Sequence, residues 1–338
     1  KKQGSKIMKK PAYNVGGEAV IEGVMMRSPH FYAVAVRRAD GKITVTSEKL
    51  DSAADKFAFW KLPVFRGILA MWESLTLGLK SLTFSANLAE EDIAKAEAKK
   101  AGKKTAIVGK KQGNETIENM LSFSIAVILA IGLFIMLPYG INRMIAKKFG
   151  DLNTNRIWFN LGMVIFKFAI FFLYVWSISR IEDIKRLFQY HGAEHKSIYA
   201  FEDGRPLSYA SVKHYSTRHP RCGTAFIVIT VLISLILFVI FLPAELKWWQ
   251  RIIYEIPLIL PIVGISYEIL KLSHKFRDNP LMKLFIAPGL AFQKLTTREP
   301  DKEQLEVAIR SLKAVTALEN AWIKKNVRRG QKVKNERN

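Results

Sequence analysis

The chain has very little cysteine and comparatively few acidic residues. Among its 338 residues Cys222 is the single cysteine, so no disulfide can form within the chain and nothing indicates an oxidising compartment. Residues 1–17 contain no apolar core, and a signal peptide is therefore not expected. Asp and Glu number 29 against 52 Lys and Arg, which gives a net charge of +23.

Motifs for binding nucleotides or reading RNA are also missing. The glycines between Gly16 and Gly23 form neither a G-x-G-x-x-G fingerprint nor a P-loop, so they predict tight turns, or an anion-binding backbone nest as the second choice. The strong basic charge is consistent with membrane topology, with anionic lipid, or with the ribosome. Nucleic acid other than ribosomal RNA is not expected as a partner.

Long apolar stretches are abundant despite this charge, since hydrophobic residues make up 49% of the chain. That combination is typical of an integral membrane protein, in which apolar spans alternate with basic flanks. Three stretches reach the ~20 residues that a helix needs to cross the hydrocarbon core. A fourth is shorter and contains Pro257 and Pro261, which predicts a kinked span or a re-entrant segment. The four candidates are residues 120–141, 157–179, 224–243 and 253–270.

The distribution of basic residues predicts the orientation of these spans. The segment at 179–223 carries 8 Lys and Arg, whereas the connections at 142–156 and 244–252 carry 4 and 2. The positive-inside rule then places the 179–223 segment and both termini in the cytoplasm. Lys167 is a charged residue inside the second span, for which Glu255 and Glu268 are candidate partners.

The flanks of the apolar region differ in pattern. Short apolar runs between glycines, and Asp40-Gly41 as a hairpin signal, predict a small cytosolic β-rich unit. The next segment predicts an amphipathic helix that lies in the headgroup plane, or covers the sheet or the bundle, followed by a charged linker. The tail predicts a basic helical region with an apolar stripe at Leu305, Ile309, Leu312 and Val315. The predicted boundaries are 14–50, 51–119, 120–270 for the bundle and 271–338.

The segment at 179–223 contains a constellation with metal-binding character. His191, Glu194 and His195 stand at i, i+3 and i+4, which places them on one face if the segment is helical. The spacing H-x-x-E-H is that of the inverted zincin motif. In that motif two imidazoles bind a divalent metal, for which zinc is the candidate in this chain, and a carboxylate accepts a proton from water.

A third ligand is needed, and the sequence offers several. Cys222 and His219 are the nearest candidates, and Glu202 and Asp203 are alternatives. A reduced cytoplasmic Cys222 favours a thiolate ligand. The competing interpretation is structural: the same polar residues cap membrane helices, with Glu194 paired to Arg218 or Arg221.

Three segments together resemble a known family. They are residues 16–27 (GGEAVIEGVMMR), 191–196 (HGAEHK) and 219–224 (HPRCGT). In this order they are similar to the YqhQ-like family of bacterial membrane proteins, domain of unknown function 1385, over about residues 15–298. The resemblance implies the family's label of predicted metal-dependent enzyme, without a defined reaction. Glu18 departs from the pattern, in which glutamine is more frequent.

Two functions are therefore expected as alternatives. The first is a polytopic α-helical membrane protein acting as a metal-dependent hydrolase, in which Glu194 is the catalytic base and His191, His195, Cys222 and His219 supply the metal ligands. The second is a non-catalytic scaffold that binds lipid, the protein-insertion machinery or the ribosome. Its contacts would include the basic residues Lys324, Lys325, Arg328 and Arg329.

Overall fold

The N-terminal part forms one small antiparallel sheet with strand order β1-β2-β3-β4. The computed structural model describes residues 11–53, 57–100, 115–148, 155–275 and 279–328. Gly41, at φ +83°, occupies the turn between the last two strands, a backbone conformation that favours glycine. The predicted β-rich unit is confirmed at this level. Its strands are β1 Gly16–Val20, β2 Gly23–Arg27, β3 Phe31–Arg37 and β4 Ile43–Lys49.

The remaining described elements are helical. A π-helical turn at Gly132–Met136 joins the second helix to the third without a break. The helices are α1 Phe65–Lys100, α2 Glu115–Ile131, α3 Leu137–Lys148, α4 Arg156–Ile178, α5 Glu182–Glu202, α6 Tyr209–Val212, α7 Gly223–Phe241, α8 Trp248–Lys275, α9 Pro280–Thr296 and α10 Lys302–Arg328.

Both faces of the sheet are covered by helices. Val24 and Met26 pack with residues of α5 and α10, whereas Met25 between them packs with Leu77 of α1. Side chains alternate between faces along a strand, so an uninterrupted apolar run indicates a strand buried on both sides. The sheet therefore forms the middle layer of three.

Helix α1 connects this layered unit to the apolar helices. Near its start, Gly67 lies so close to α8 that an added Cβ would be 2.7 Å from the Cβ of Tyr267. Further along, Leu77 packs on the sheet, while Trp72 remains 70% exposed. Of the alternatives for this segment, packing on both the sheet and the bundle is observed. Residues 88–100 of the predicted linker continue α1, and residues 101–114 lie outside the described part.

Three helical stretches are long and apolar enough to cross a membrane by length and composition: Ser124–Lys148, Arg156–Ile178 and Trp248–Leu272. Helix α7, Gly223–Phe241, has 19 residues and lies close to the predicted 224–243. Helix α8, with 28 residues, is longer than the predicted 253–270. Helix α8 continues through Pro257 and Pro261, because a proline removes only local backbone bonds and packing against neighbouring helices maintains the rest.

A charged network lies among the apolar helices. Glu255 accepts a hydrogen bond from Lys167 Nζ at 2.5 Å and one from Arg251 Nε at 2.8 Å. Arg251 also donates to Asn160 Oδ1 at 2.6 Å. Glu255 is thus the partner of Lys167, as one of the two predicted options, and Glu268 pairs instead with Arg66 of α1.

The first part of the predicted tail is packed into the structure. Helix α9 contacts α7 and α4, and Phe292 stacks on Phe171 with ring centroids 5.6 Å apart. Helix α10 lies under the sheet, and the predicted stripe is confirmed, since Leu305 and Leu312 are among its fully buried residues. Because the apolar face of α10 packs against the sheet and α5, this part of the predicted tail is a layer of the fold.

Candidate metal centre

The H-x-x-E-H motif lies in the interior of α5, so the helix on which its geometry depends is confirmed. Glu182 and Asp183 stand in the first turn, where negative charge favours the helix dipole. From Tyr190 to Ala200 the helix is almost entirely buried, between the sheet and α10 on one side and the 217–222 and 296–298 segments on the other.

Gly192 permits the close approach of the 296–298 segment. A Cβ at this position would lie 2.0 Å from the backbone oxygen of Arg298. The N–H of Arg298 donates to the carbonyl of Phe188 at 2.9 Å, which fixes the two segments together. Glycine lowers the intrinsic stability of the helix, but no residue with a Cβ fits at this position.

The two histidines are oriented by backbone carbonyls. His191 Nδ1 lies 2.8 Å from the carbonyl oxygen of Thr296, and His195 Nδ1 lies 2.5 Å from that of Thr217. A carbonyl only accepts, so each Nδ1 carries the proton and each Nε2 presents a lone pair. This is the arrangement that orients metal-binding histidines through the nitrogen that does not bind the metal.

Cys222 completes a group of three ligand atoms. It is the N-cap residue of α7, and its Sγ lies 3.2 Å from His191 Nε2. The ligand atoms of His191, His195 and Cys222 all lie within 4.8 Å of one another. Ligands of a tetrahedral zinc ion are separated by roughly 3.3–3.8 Å, given Zn–N and Zn–S bonds of about 2.0–2.3 Å. The 3.2 Å separation is close to this range, while 4.8 Å is wider, so the three residues form a candidate ligand set for one such ion.

His195 Nε2 has surroundings that suit a cation. The atom is buried without a well-formed hydrogen bond among the described residues. It lies 3.4 Å from Glu194 Oε2. Burial lowers the pKa of His195, although a hydrogen bond with Cys222 opposes this shift, and the ring is neutral near neutral pH.

Glu194 is held against the first strand. The backbone N–H of Gly17 donates to its carboxylate, and a Cβ on Gly17 would lie 2.8 Å from Glu194 Cγ. Burial raises the pKa of Glu194, while the charges of His191 and His219 oppose that shift. Gly17 thus allows the sheet to approach the carboxylate, whereas an added Cβ on Gly16 would have nothing within 4 Å. Both glycines lie in β1 and not in one of the tight turns predicted for them.

His219 lies beside the group of three. Its ring centroid is 5.7 Å from that of His195. Its Nδ1 accepts from the backbone N–H of Arg221 at 3.3 Å, and its Nε2 lies 3.4 Å from Glu202 Oε1. Burial lowers the pKa of His219 to about 4, although the charge of Glu194 opposes this. The Glu202 carboxylate pairs with Arg221. Arg221 therefore pairs with Glu202 and not, as the structural interpretation of the motif had it, with Glu194.

Sequence reasoning did not identify the residues that support the site. Gln293 accepts from the N–H of His219 at 2.8 Å and donates to its carbonyl at 2.9 Å. Thr217 and Thr296 contribute only backbone oxygens, for which side-chain identity carries no signal. Gln293 did carry one, because it directly follows the apolar stretch 284–292, and in the structure its amide is fully buried.

The predicted contact residues of the tail lie apart from this site. Lys324 and Lys325 are exposed near the end of α10. Arg328 ends the helix, but its side chain is outside the described part, as is the whole of Arg329.

Comparison with known proteins places the chain in a family. Residues 62–318 match the family described as "Protein of unknown function (DUF1385)". The chain is 35% identical over 314 residues to "Uncharacterized protein YqhQ" of Bacillus subtilis (strain 168), covering 91% of this chain and 93% of that relative. No solved structure matches the chain significantly. The chain, which carries the candidate site on α5 and at the N-cap of α7, therefore belongs to the YqhQ-like DUF1385 family.

Proposed function

We propose that the protein is a metal-dependent hydrolase of the bacterial cytoplasmic membrane, with its site at the cytoplasmic face. One observation carries the proposal. His191 and His195 each use Nδ1 to bind a backbone carbonyl, so both Nε2 lone pairs face the Sγ of Cys222. A site built only to cap helices has no need to fix two tautomers toward one thiol.

The ligand set favours zinc. Two imidazoles and one thiolate suit a borderline-soft divalent cation, and three protein ligands leave a fourth position for water, as in catalytic zinc sites. Such a cation, when bound, polarises a carbonyl or phosphoryl oxygen and lowers the pKa of water. Cys222 precedes α7, where the positive end of the helix dipole stabilises a thiolate.

Glu194 is the residue of the chain that moves the proton. Its Oε2 lies 3.4 Å from His195 Nε2, so it reaches water bound between the ligands. In hydrolysis the water oxygen bonds to the carbonyl carbon or phosphorus, and Glu194 accepts the water proton. Glu194 then returns this proton to the leaving group as the bond to that group breaks.

The membrane location is supported by the arrangement of the helices. Cys222 directly precedes the apolar helix α7, and α4 ends four residues before α5 begins. The site therefore lies at the end of the apolar helices. The excess of Lys and Arg in 179–223 favours the cytoplasmic side, and the same rule predicts that both termini are cytoplasmic.

Metal analysis of the purified full-length protein tests this function. Wild-type protein reconstituted with Zn²⁺ is expected to hold about one equivalent after dialysis. His191→Ala, His195→Ala and Cys222→Ser are each expected to lose at least tenfold in affinity. His214→Ala is a matched control, because His214 is exposed and lies eight residues before Cys222. Wild-type protein without stoichiometric metal, or an equal loss in His214→Ala, would contradict the proposal.

A scaffold remains the second candidate, and exposed surfaces favour it. Trp72 and Leu79 lie exposed on α1, and Lys324 and Lys325 lie exposed near the end of α10. A joint Lys324→Glu and Lys325→Glu variant tests it by co-purification in mild detergent. Loss of ribosomes or of membrane partners with metal binding intact supports the scaffold. Unchanged partners in this variant count against it.

A further inference from the structure

A cavity of about 330 Å³ lies between the apolar helices. Its walls come from α4 and α7, with Met71 of α1 and Phe134 of the π-helical turn closing two sides. The lining is predominantly aliphatic and aromatic, and includes Phe168, Phe171 and Phe226. A volume above ~300 Å³ with an apolar wall and few polar groups is typical of a ligand pocket.

The polar groups of the wall are satisfied within the protein. Lys167 Nζ pairs with Glu255 and lies 4.8 Å from the centroid of the Phe238 ring. The hydroxyls of Thr230 and Ser234 donate to carbonyls of their own helix at 2.8 and 2.7 Å. The polar side chains of the wall therefore need no hydrogen-bond partner from a ligand, and recognition depends on contact with apolar surface.

The cavity lies along α7 and begins one helical turn from the candidate metal centre. Phe226, on its wall, is one helical turn beyond Cys222, a rise of about 6 Å, and Ser234 is about 18 Å beyond. Helix α4 follows the same depth in the opposite direction, from Phe171 to Val164. An extended apolar chain in the cavity would thus place its polar end at the level of Cys222.

We propose that this cavity binds the acyl chain of a membrane amphiphile whose polar head reaches the site formed by His191, His195 and Cys222. The occupant is a hydrocarbon chain because the wall is apolar, elongated along two apolar helices, and neutralises its own charge. That this amphiphile is the substrate rests on the hydrolase proposed above, whereas binding of the chain does not. The substrate class that follows is an acyl-bearing lipid.

Photolabelling of the full-length protein in nanodiscs tests the binding. One arm uses a palmitate with a diazirine in its chain, and the other a phosphatidylglycerol with the same chain. Mass spectrometry is expected to map labels to cavity residues such as Phe168 and Phe226. The arm with stronger labelling identifies the free fatty acid or the phospholipid as the source of the chain.

Two variants on α7 form the matched comparison. Thr230→Phe fills the cavity and is expected to lower labelling at least fivefold, whereas Leu232→Phe, at a 41% exposed position outside the cavity, is expected to change it less than twofold. If Thr230→Phe does not fold, competition by excess unlabelled palmitate against wild-type protein replaces it. Labels spread evenly over outward-facing residues, or an equal loss in Leu232→Phe, would overturn the proposal.

The two proposals fail separately in this design. Zinc content is measured on the same samples. Thr230→Phe protein is expected to retain its zinc, since the substitution lies two turns from Cys222. Normal labelling in a protein that binds no zinc would leave the acyl site intact and refute the hydrolase. Normal zinc without cavity labelling would refute the acyl site alone.

Discussion

His191 Nε2 lies 3.2 Å from Cys222 Sγ, although the two residues are 31 positions apart in the chain. The contact joins the middle of α5 to the cap of α7. It brings a residue of α5, which packs against the sheet, onto the N-cap residue of an apolar helix. The predictions below follow from this junction and from the networks on either side of it.

Glu194→Gln is expected to separate metal binding from catalysis. Glutamine keeps an oxygen to accept from the N–H of Gly17 but cannot take a proton. Zinc content is expected to stay at the wild-type level, while hydrolysis of a generic acyl ester such as 4-nitrophenyl octanoate falls ~10²–10⁴-fold. Hydrolysis by the variant at the wild-type rate would exclude Glu194 as the base.

Gly192→Ala is expected to disrupt the junction. The new Cβ would meet the backbone oxygen of Arg298 at 2.0 Å, and backbone cannot yield as a side chain can. Overpacking of this kind costs about 1–3 kcal/mol of unfolding free energy. The unfolding temperature and the affinity for zinc are both expected to fall. Gly140→Ala is the control, since nothing lies within 4 Å of its added Cβ, and it is expected to be neutral or stabilising.

Gln293→Met is expected to weaken metal binding from outside the ligand set. Gln293 is a positioning residue that brackets the backbone of His219 with two hydrogen bonds, and so fixes the 217–222 segment that carries Thr217 and Cys222. Loss of such outer partners typically costs 10–100-fold in metal affinity. Competition with a zinc chelator measures it, and Gln250→Met, at the far end of the bundle, serves as control. Equal affinities in the two variants would show that the bracket is not needed.

Glu255→Gln is expected to destabilise the bundle more than Lys167→Met. The first change leaves Lys167 and Arg251 buried without a counter-charge, which typically costs about 3–5 kcal/mol. The second leaves the Arg251–Glu255 pair intact, with their side chains at 0% and 5% exposure. Unfolding temperatures in one detergent give the comparison. A lower unfolding temperature for Lys167→Met than for Glu255→Gln would mean that Arg251 does not need the Glu255 carboxylate as a counter-charge.

Glu18→Gln is expected to stabilise the protein in a pH-dependent manner. Burial raises the pKa of Glu18 to about 7, which Arg27 opposes and Glu194 supports. The unfolded state ionises near 4.5, so the folded wild type loses stability as pH rises from about 4.5 to about 7 and is then constant. The gain of the variant is expected to be absent at pH 4.5 and about 2 kcal/mol above pH 7, allowing for partial exposure. Unfolding curves at both pH values measure it, and a gain equal at both would contradict the pKa.

Local periodicity was enough to predict much of the fold. The short apolar run from Gly23 to Arg27, the hairpin at Gly41, the helical spacing of His191 and His195, and the stripe containing Leu305 and Leu312 all depend on neighbours within a few residues. The apolar stretches were recognisable by length, but the extension of α8 beyond the predicted 253–270 was not. The continuation of α8 through two prolines depends on helices that pack against it.

Tertiary structure alone decided how distant segments meet. It grouped Cys222 with the two histidines and directed the nitrogens of His219 to Arg221 and Glu202. It chose Glu255 over Glu268 as the partner of Lys167 and set the carbonyls of Thr217 and Thr296 against the imidazoles. The sequence by itself determined which side chains share a helix face, because that follows from 3.6 residues per turn. Which faces come together depends on packing between distant segments, some of them 291 residues apart, where no local period operates.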